Sequence, residues 1–372
     1  MKFSVDTDRL MVAASHTRSA VTREKTSPIM SNVLIETDED CVRFLAHDTT
    51  TQVEAFLPAV VERAGGTTVS AAILHELARR LPEGAQVGME FDPAESILSV
   101  NTQTMDGRLV TLPREDFTRM AEDDYDLTFS MNSNVLRHML SKTVAVVSPE
   151  NARQYLRGVF FHLFETPEGA QLRCVASDAY QLVRIVADPP EGSAGMSSVI
   201  VPHKAVQEVI KMLSGGEETV EISVSETKIK FATQYIQLST RVINGEFPDY
   251  TRLIPRNNDR ILTLDRDVLL QALLRLSAVV PPHDCAVLLN FTRDHLNMKV
   301  NTPAAGKIDE DLSVSFPHDD LQIRFRHGHL LSVTQALEEG IVKVALQETT
   351  GAVILTSDKD TGALFVLMPI NV

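Results

Sequence analysis

The chain has 372 residues, of which 44% are hydrophobic, and a formal net charge of −15 at pH 7. This length favours two or three domains with ordinary hydrophobic cores, and the acidic balance taken alone argues against a nucleic-acid partner. No apolar run approaches the ~20 residues of a membrane span and the N-terminus lacks a secretory signal, so we expect a cytoplasmic protein that contacts no membrane. Cys41, Cys174 and Cys285 are far apart, which favours a reducing compartment without disulfides.

Three similar eight-residue segments divide the chain at nearly even intervals. They start 126 and then 133 residues apart and read FSVDTDRL (3–10), FSMNSNVL (129–136) and LTLDRDVL (262–269). Alternating apolar residues predict a short strand in each segment. Asp6, Asn132 and Asp265 then stand where a helix N-cap accepts backbone N–H groups. An apolar stripe with helical spacing follows each cap. The sequence therefore predicts three similar domains, each opening with a strand and an amphipathic helix.

Each third of the chain contains a second predicted strand–helix unit. These units occupy residues 67–84, 198–216 and 321–340. Their last glycines, Gly84, Gly215 and Gly340, stand in the position of a helix C-terminal cap, and an alternating strand follows each unit. The predicted class is α+β, with two helices per domain packed on antiparallel sheet. Proline-containing exits and polar connectors place the three domains at 1–120, 127–253 and 261–372.

Basic side chains concentrate in the predicted helices, whereas acidic runs such as TDED (37–40) and AEDDYD (121–126) lie outside them. Solvated helix faces explain any single cluster, but the repetition in several equivalent helices favours one basic surface. Six helices packed around a circle leave a hole of roughly 9 Å, and twelve leave roughly 28 Å. The two groove depths of B-DNA alone sum to about 16 Å. If such a ring encircles duplex DNA, it needs two of these chains.

Several longer segments carry a resemblance that covers the chain from end to end. They are SPIMSNVLIE (27–36), LPEGA (81–85), RQYLRGVFFH (153–162), CVASDAYQLV (174–183), GEFPDYTRLIP (245–255) and VLMPINV (366–372). Together they resemble the bacterial DNA polymerase sliding clamp family, the beta subunit of the replicative DNA polymerase III holoenzyme. The resemblance implies the DNA clamp fold and a head-to-tail homodimer, whose six domains form a ring with helices lining the hole.

The resemblance also implies a function and partners. A clamp of this family is a non-catalytic processivity factor without a cofactor, and it encircles double-stranded DNA without sequence preference. The implied partners are the replicative DNA polymerase, the clamp loader and other proteins that carry a clamp-binding motif. They dock a short peptide in a hydrophobic cleft between the second and third domains. The implied location is the cytoplasm, in association with the nucleoid.

Three groups of residues follow from the resemblance by their positions in this sequence. The implied peptide cleft comprises Leu156, Ser177, Ala179, Tyr180, Gln181, Leu182, Pro248, Arg252, Leu253, Val366, Leu367, Met368, Pro369 and Ile370. The implied DNA contacts are Arg23, Lys25, Arg79, Arg137, Lys142, Arg153, Tyr155, Lys204 and Lys211. The implied dimer interface comprises Gly107, Leu109, Val279 and Val280. No residue is expected to be catalytic or to bind a metal ion.

The chain departs from the family pattern at three places. Ala179-Tyr180-Gln181 replaces the usual Gly-His-Arg, which makes the expected cleft bulkier and removes a positive charge. Ala71 and Ala72 stand where the family often has basic residues. Gly107 occupies a position where the family can carry an aromatic residue, so Leu109 and the two valines would have to supply more of the apolar interface.

Two other functions remain open on the sequence. An enzyme is the first, because HGH (327–329) and PHDC (282–285) are dense polar clusters. Histidines at i and i+2 without a third ligand are a weak metal signal, so we interpret them as surface residues, and no partner that activates Cys285 is identifiable. The sequence has no phosphate-binding glycine loop and no GxSxG elbow. The second alternative is a peptide-binding repeat scaffold that never meets DNA. Salt-sensitive retention on circular DNA separates such a scaffold from a clamp.

Overall fold

The structure, a computed structural model, describes residues 1–21, 27–121, 124–147, 153–216, 218–281, 285–347 and 349–370. These residues contain six α-helices, which are α1 (Thr7–Ala20), α2 (Ala71–Ala78), α3 (Ser133–Val144), α4 (His203–Met212), α5 (Arg266–Leu276) and α6 (His327–Ala336). Two helices fall in each third of the chain and each follows a strand, which confirms the α+β class. None of the helices in these ranges combines the length and apolarity needed to cross a membrane.

Twenty-five strands accompany the helices within the described part of the chain. They are β1 (Lys2–Asp6), β2 (Asn32–Asp38), β3 (Cys41–His47), β4 (Thr51–Pro58), β5 (Val60–Arg63), β6 (Gly65–Ser70), β7 (Gln86–Asp92), β8 (Ile97–Asn101), β9 (Asp106–Leu112), β10 (Leu127–Asn132), β11 (Gly158–Thr166), β12 (Gly169–Ser177), β13 (Gln181–Ala187), β14 (Val199–Pro202), β15 (Thr219–Val224), β16 (Lys228–Ala232), β17 (Ile236–Arg241), β18 (Arg260–Asp265), β19 (Ala286–Thr292), β20 (His295–Thr302), β21 (Gly306–Ser313), β22 (Leu321–Arg326), β23 (Ile341–Leu346), β24 (Val353–Ser357) and β25 (Asp360–Leu367). The two pairings that cross the predicted domain boundaries, β17 with β4 and β13 with β25, are antiparallel.

The three predicted N-caps are confirmed. Oδ1 of Asp6 accepts hydrogen bonds from the backbone N–H groups of Asp8 and Arg9 at the start of α1. Asn132 and Asp265 accept the corresponding bonds at the starts of α3 and α5. These bonds satisfy N–H groups that have no carbonyl partner within the helix, so the repeated polar residue fixes where each helix begins.

The predicted C-terminal glycine caps are wrong. α2 and α6 end six and four residues before Gly84 and Gly340. Both glycines instead adopt positive φ, 68° and 128°, in the turns that lead into the next strand, where the missing Cβ avoids strain. Beyond α4, a 3₁₀ turn at Leu213–Gly215 follows the helix, and the left-handed residue is Gly216 rather than Gly215.

One compact unit comprises Met1–Arg137, Pro190–Ser197 and Lys204–Val242. Its sheet has 13 strands in the order β10-β15-β16-β17-β4-β3-β2-β6-β9-β8-β7-β1-β5. The pairing of β17 with β4, with Ile236 opposite Ala55, makes one sheet from strands of the predicted first and second domains. α1 packs on α2 and on β3 and β4, so its buried stripe closes the core of this unit.

The second compact unit is drawn from His138–Pro189, Ser198–His203 and Ile243–Val372. It contains an eight-stranded sheet, β14-β11-β12-β13-β25-β24-β23-β18, and a four-stranded sheet, β21-β20-β19-β22. β13 pairs with β25, so Gln181 lies opposite Leu367. This pairing joins strands of the predicted second and third domains, and it places Gln181 and Leu182 of the candidate peptide cleft opposite Leu367 and Val366.

Candidate functional site

A buried apolar cluster forms the base of the candidate cleft. Three candidate residues belong to it, together with four others that the sequence analysis did not single out, namely Leu156, Leu182 and Val366 with Val175, Ile200, Phe247 and Tyr250. Ser177, Gln181 and Leu367 are also buried. These six candidates therefore shape the cleft from beneath and offer little surface to a ligand.

The other candidate residues lie nearer the surface. Tyr180, Leu253 and Met368 expose 47%, 53% and 43% of their surface. The remaining candidates are exposed or half-buried, and they are Ala179, Pro248, Arg252, Pro369 and Ile370. Three large apolar side chains exposed above one buried cluster are typical of a binding surface, because covering them removes apolar area from water.

Backbone hydrogen bonds hold the C-terminal segment against this surface. The N–H of Met368 donates to the carbonyl oxygen of Tyr180, and the N–H of Ile370 donates to the carbonyl oxygen of Arg324; each N···O distance is 2.9 Å. Met368 thus extends the pairing of β25 with β13 by one bond, whereas Ile370 is bonded to β22 of the four-stranded sheet. The side chains of this segment are therefore presented at fixed positions.

Asp178 organises the turn that departs from the family pattern. Its Oδ1 accepts hydrogen bonds from the N–H groups of Tyr180 and Gln181 at 2.8 and 2.7 Å, and its Oδ2 accepts one from Gln181 Nε2 at 2.9 Å. Ala179 between them has a φ of 80°. A side chain in this left-handed region costs roughly 1–2 kcal/mol, which the glycine usual in the family avoids. The turn is thus strained and held by the aspartate.

A buried polar network anchors the chain beneath the cleft. The hydroxyl of Tyr250 accepts a hydrogen bond from Arg173 Nη1 at 3.0 Å and lies 3.2 Å from His162 Nε2. Arg173 also donates to Gln171 Oε1. Tyr250 begins the 3₁₀ turn that leads to Leu253. The network therefore fixes the backbone that presents Leu253. No local pattern predicted it, because Tyr250 is far along the chain from His162 and Arg173.

The buried imidazole of His162 predicts a loss of stability in mild acid. Burial lowers the pKa of His162 to about 4, and the positive charge of Arg173 acts in the same direction. In the unfolded chain the pKa is about 6.5, so between these values the unfolded state binds more protons. The stabilisation is complete above about pH 6.5 and is lost as the pH falls towards 4. Linkage gives a decrease of about 2 kcal/mol in the free energy of unfolding between pH 7.5 and pH 5.

Urea titrations at pH 7.5 and pH 5 measure this decrease. Because the chain has other histidines, the informative quantity is how much the pH dependence of the unfolding free energy differs between the parent and His162→Gln. The glutamine keeps a polar side chain but cannot take up a proton. We expect a smaller pH dependence in the variant, and an unchanged dependence would show that His162 does not carry the effect.

Four candidate DNA contacts of the first unit lie in the described part of the chain, and three of them make ion pairs within the chain. The pairs are Arg79 with Glu76, Lys204 with Asp48, and Lys211 with Glu208. Burial alone would raise the pKa of Asp48, but hydrogen bonds from Lys204 and Thr50 hold that pKa below its usual value. The fourth candidate, Arg137, is exposed. The Arg79–Glu76 pair is exposed and contributes little, so Arg79 can exchange its carboxylate for a phosphate at small cost. Glu208 is buried, so it would lose the partner of a buried charge if Lys211 turned to a phosphate.

The candidate DNA contacts in the second unit differ in their surroundings. Lys142 Nζ lies 2.5 Å from the carbonyl oxygen of Ala336 and 2.5 Å from Glu338 Oε1, and its side chain is 14% exposed. A phosphate contact by Lys142 requires this ion pair to open. Arg153 is exposed, whereas Tyr155 packs against the buried cluster beneath the cleft. Arg23 and Lys25 lie outside the described residues.

One group of three side chains is close enough to share a metal ion, counting the residues that the structure describes. The group is His138, Glu338 and Asp360. His138 Nε2 lies 2.9 Å from Asp360 Oδ2, and Lys142 is paired with Glu338. Burial raises the pKa of Asp360, but its contact with His138 and the charges of His138 and Lys142 hold it below the usual value. Both carboxylates thus already have His138 or Lys142 as a partner, and we interpret the group as a network of polar contacts that joins α3 to β25.

Three family models match consecutive segments of the chain. They describe the N-terminal, central and C-terminal domains of the DNA polymerase III beta subunit and match residues 1–121, 130–249 and 251–371. Beta sliding clamps from Caulobacter vibrioides and Escherichia coli are 31% and 27% identical in sequence to this chain, and each alignment covers 100% of both chains. The chain belongs to the DNA polymerase III beta-subunit family.

Solved structures of this family superpose on the whole clamp chain. A sliding clamp from Bartonella birtlesii bound to griselimycin has a TM-score of 0.95 at 31% identity, and the pol III beta of Caulobacter crescentus has a TM-score of 0.91 at 31% identity. Both comparisons cover 100% of each chain. The resemblance stated from the sequence is therefore confirmed, as are the clamp fold and the non-catalytic role of a processivity subunit. The enzyme alternative is set aside.

The HGH segment (327–329) of the clamp does not lie entirely at the surface. The interpretation of HGH as surface histidines is wrong for His327, which is buried, with Nε2 lying 2.9 Å from the carbonyl oxygen of Leu273. His327 follows the last strand residue and starts α6, so it faces α5 rather than solvent. In the PHDC cluster, residues 282–284 lie outside the described part of the chain.

The candidate dimer-interface residues of the clamp lie on a strand edge and a turn. Gly107 and Leu109 belong to β9, whose Asp106–Val110 segment pairs with β8, while the pairing with β6 is confined to the last two residues of the strand. Val279 and Val280 are half-buried in the turn that follows α5. Val110 was missed by the sequence analysis although it is 78% exposed. The alternation of more and less exposed residues along β9 would have predicted that Val110 faces outwards.

Proposed function

We propose that two copies of this clamp join head to tail into a ring that encircles duplex DNA. The ring tethers the replicative DNA polymerase, the clamp loader and other motif-bearing proteins through the cleft described above. The observation that carries the proposal is the threefold strand–cap–helix repeat within a chain that aligns with sliding clamps over its full length. The proposed domains are 1–120, 127–253 and 261–372, and the proposed location is the nucleoid-associated cytoplasm.

DNA contacts of the ring are proposed to be weak and confined to phosphates. The proposed cations are Arg23, Lys25, Arg79, Arg137, Lys142, Arg153, Lys204 and Lys211, with Tyr155 beside them. Several of them already pair with carboxylates of the same chain, and the net charge of −15 repels the duplex at longer range. Direct affinity should therefore be low and independent of sequence. Lasting retention must come from the closed ring.

Retention on circular and linear DNA tests this proposal. We expect protein assembled on nicked circular DNA by a clamp loader to remain bound through gel filtration. Cutting the same DNA once with a restriction enzyme should release it, because an open end lets a ring slide off. Direct binding to short linear duplex should weaken as salt rises. Equal loss from circular and linear DNA would contradict topological linkage. Absence of any DNA retention would favour the repeat scaffold that never meets DNA.

The cleft is proposed to take a short peptide with apolar anchors. Tyr180, Leu253 and Met368 provide exposed apolar surface, and the six buried candidates support them from below. Burying one Leu or Phe anchor is worth roughly 1.5–3 kcal/mol, or about one to two decades of affinity. Two anchors suit micromolar binding, which allows several partners to exchange on one clamp.

The dimer interface is proposed to join the edge of β9 in one copy to the turn after α5 in the other. Leu109 faces the partially buried pair Val279 and Val280 in this arrangement, and Gly107 contributes backbone rather than side chain. The free edge of β9 supports the proposal, since an unpaired strand edge that carries exposed apolar residues is a surface that proteins normally cover. β21, which lies at one end of the four-stranded sheet, offers a matching edge in the second copy.

A further inference from the structure

A pocket of about 520 Å³ opens between α1, α4 and the turn from β16 to β17, all within the first compact unit. Its buried lining residues are Leu57, Met212 and Ile236. Val12 on α1 and Tyr235 before β17 line it as well, and they leave 48% and 36% of their surface exposed. A pocket of this size with apolar walls is typical of a small-molecule site. These residues belong neither to the peptide cleft nor to the proposed dimer interface.

Several polar side chains of the pocket lining are already engaged within the chain. The hydroxyl groups of Ser214 and Thr233 make hydrogen bonds to the backbone. Lys211 Nζ lies 2.8 Å from Oε1 of Glu208, which is buried and therefore needs its cation. A ligand would gain little from these three side chains.

Two basic side chains of the lining are available to a ligand. Among the residues that the structure describes, neither the guanidinium of Arg9 nor the imidazole of His16 has a hydrogen-bond or ion-pair partner. The two residues flank Val12 on one stripe of α1, one turn to either side. Burial lowers the pKa of His16, so its ring is neutral at pH 7 and donates one N–H. Asp8, the acidic residue of the lining, is exposed, and its Oδ1 accepts the N–H of Gly84 at 3.5 Å.

The repeat within the chain identifies a counterpart of this pocket in the second compact unit. α1 and α3 begin at equivalent N-caps, and counting from these caps matches Val12 with His138 and His16 with Lys142. The helix of each unit thus carries a basic side chain at the same turn. In the second unit both of these α3 side chains already contact carboxylates.

The acidic residues of the second unit are replaced in the pocket. Glu338 lies just beyond α6, and Asp360 begins β25. Ser214 stands as far from the start of α4 as Glu338 does from the start of α6, and Tyr235 directly precedes β17. The pocket therefore keeps basic side chains and gains apolar walls, but it lacks the carboxylates that fill its counterpart.

We propose that this pocket binds a small aromatic molecule that carries one carboxylate. The carboxylate lies over Val12, where it accepts charge-assisted hydrogen bonds from the guanidinium of Arg9 and one hydrogen bond from the N–H of His16. It supplies the negative charge that two acidic side chains supply in the second unit. The aromatic ring packs against Tyr235 and the sulfur of Met212, both of which favour contact with a ring. The site is separate from the peptide cleft and does not depend on ring formation.

Ligand-observed NMR titration with naphthylacetate tests the proposal. Naphthylacetamide is the neutral twin, with the same ring and no charge. Both compounds are titrated against the parent clamp and four variants. Val12→Trp fills the pocket from its exposed wall, and Ile73→Trp places the same side chain at an exposed position of α2 as a control. Arg9→Gln removes the proposed cation, and Arg18→Gln removes the same charge from the opposite face of α1.

We expect the parent to bind naphthylacetate in the submillimolar range and to prefer it over the amide by roughly tenfold at low salt, because the amide cannot make the charge-assisted hydrogen bonds. Val12→Trp should weaken both compounds by about tenfold or more, whereas Ile73→Trp should leave them unchanged. Arg9→Gln should reduce the preference for the acid to below twofold, and Arg18→Gln should preserve it. Thermal melting confirms that each variant is folded.

The contrary results separate the site from the ligand class. If the parent does not bind the acid, or Val12→Trp binds it as the parent does, the pocket is not the site. Binding that is lost on removal of residues 368–372 but kept in Val12→Trp would place the compound in the peptide cleft instead. Equal affinity for acid and amide, or a preference that survives Arg9→Gln, would show that the pocket does not select a carboxylate through Arg9.

Discussion

Removing residues 368–372 is expected to abolish stimulation of the polymerase while leaving the dimer intact. Met368 is exposed, and its backbone N–H is tied to Tyr180, so it forms one wall of the apolar surface that an anchor would cover. Loss of one anchor contact costs about one to two decades of affinity, which moves a micromolar complex beyond working concentrations. β25 ends at Leu367, so its pairing with β13 is retained in the shortened chain. Primer extension on circular template with a clamp loader measures the effect.

A point variant and a matched control make this test sharper. Met368→Ala should lower stimulation by roughly tenfold or more at limiting clamp concentration, because it removes most of one apolar contact. Ile341→Ala removes a similarly exposed apolar side chain from β23, outside the proposed cleft, and should leave stimulation unchanged. Full stimulation by the truncated clamp would show that the polymerase docks elsewhere.

Val280→Glu is expected to convert the dimer into monomers at micromolar concentration. The valine lies half-buried in the turn after α5, where the proposed interface would bury it further. An unpaired carboxylate in a closed interface costs several kcal/mol, and about 3 kcal/mol already raises the dissociation constant by roughly two decades. Sedimentation velocity over a concentration series measures the fractions of dimer and monomer directly. Val110→Glu, on β9, should act in the same way from the opposite side of the interface.

Val60→Glu provides the control for both variants. Val60 is a strongly exposed valine on β5, outside the proposed interface, so the introduced charge is the same but remains in water. This variant should sediment as the parent does. A parent that sediments as a monomer would overturn the ring, and a dimeric Val280→Glu would place the interface on another surface.

Local chemistry explains which parts of the fold could be predicted. Asp6, Asn132 and Asp265 were recognisable because a cap needs a side-chain oxygen at one fixed position, and the apolar stripe follows at once. The C-terminal ends of the helices could not be recognised in this way, because Gly84 and Gly340 lie in turns beyond the helices. A glycine reports a need for positive φ, and that need arises in turns as well as in caps.

The candidate site was less accessible to sequence reasoning because burial is decided by distant strands. The resemblance implied Leu367 only as a residue of the peptide cleft, and its pairing with Gln181 buries it inside the sheet. Lys142 looked like a helix cation, but its ammonium pairs with Glu338. The stacking of Arg326 on Tyr180 joins residues 146 positions apart, and neither residue type indicates the other. Such contacts depend on how the strands are ordered, which no local pattern encodes.

The sheet pairings across the predicted domain boundaries bear on how the chain can be divided. Excising residues 127–253 would strip β4 from β17 and β25 from β13. The fragment would then carry two bare strand edges, with unpaired backbone groups alongside Ile236 and Gln181, and such edges recruit other chains. We therefore expect the middle third to aggregate when expressed alone, although its sequence has the length of an autonomous domain. We expect the three thirds to share one fold and yet not to be separable as stable fragments.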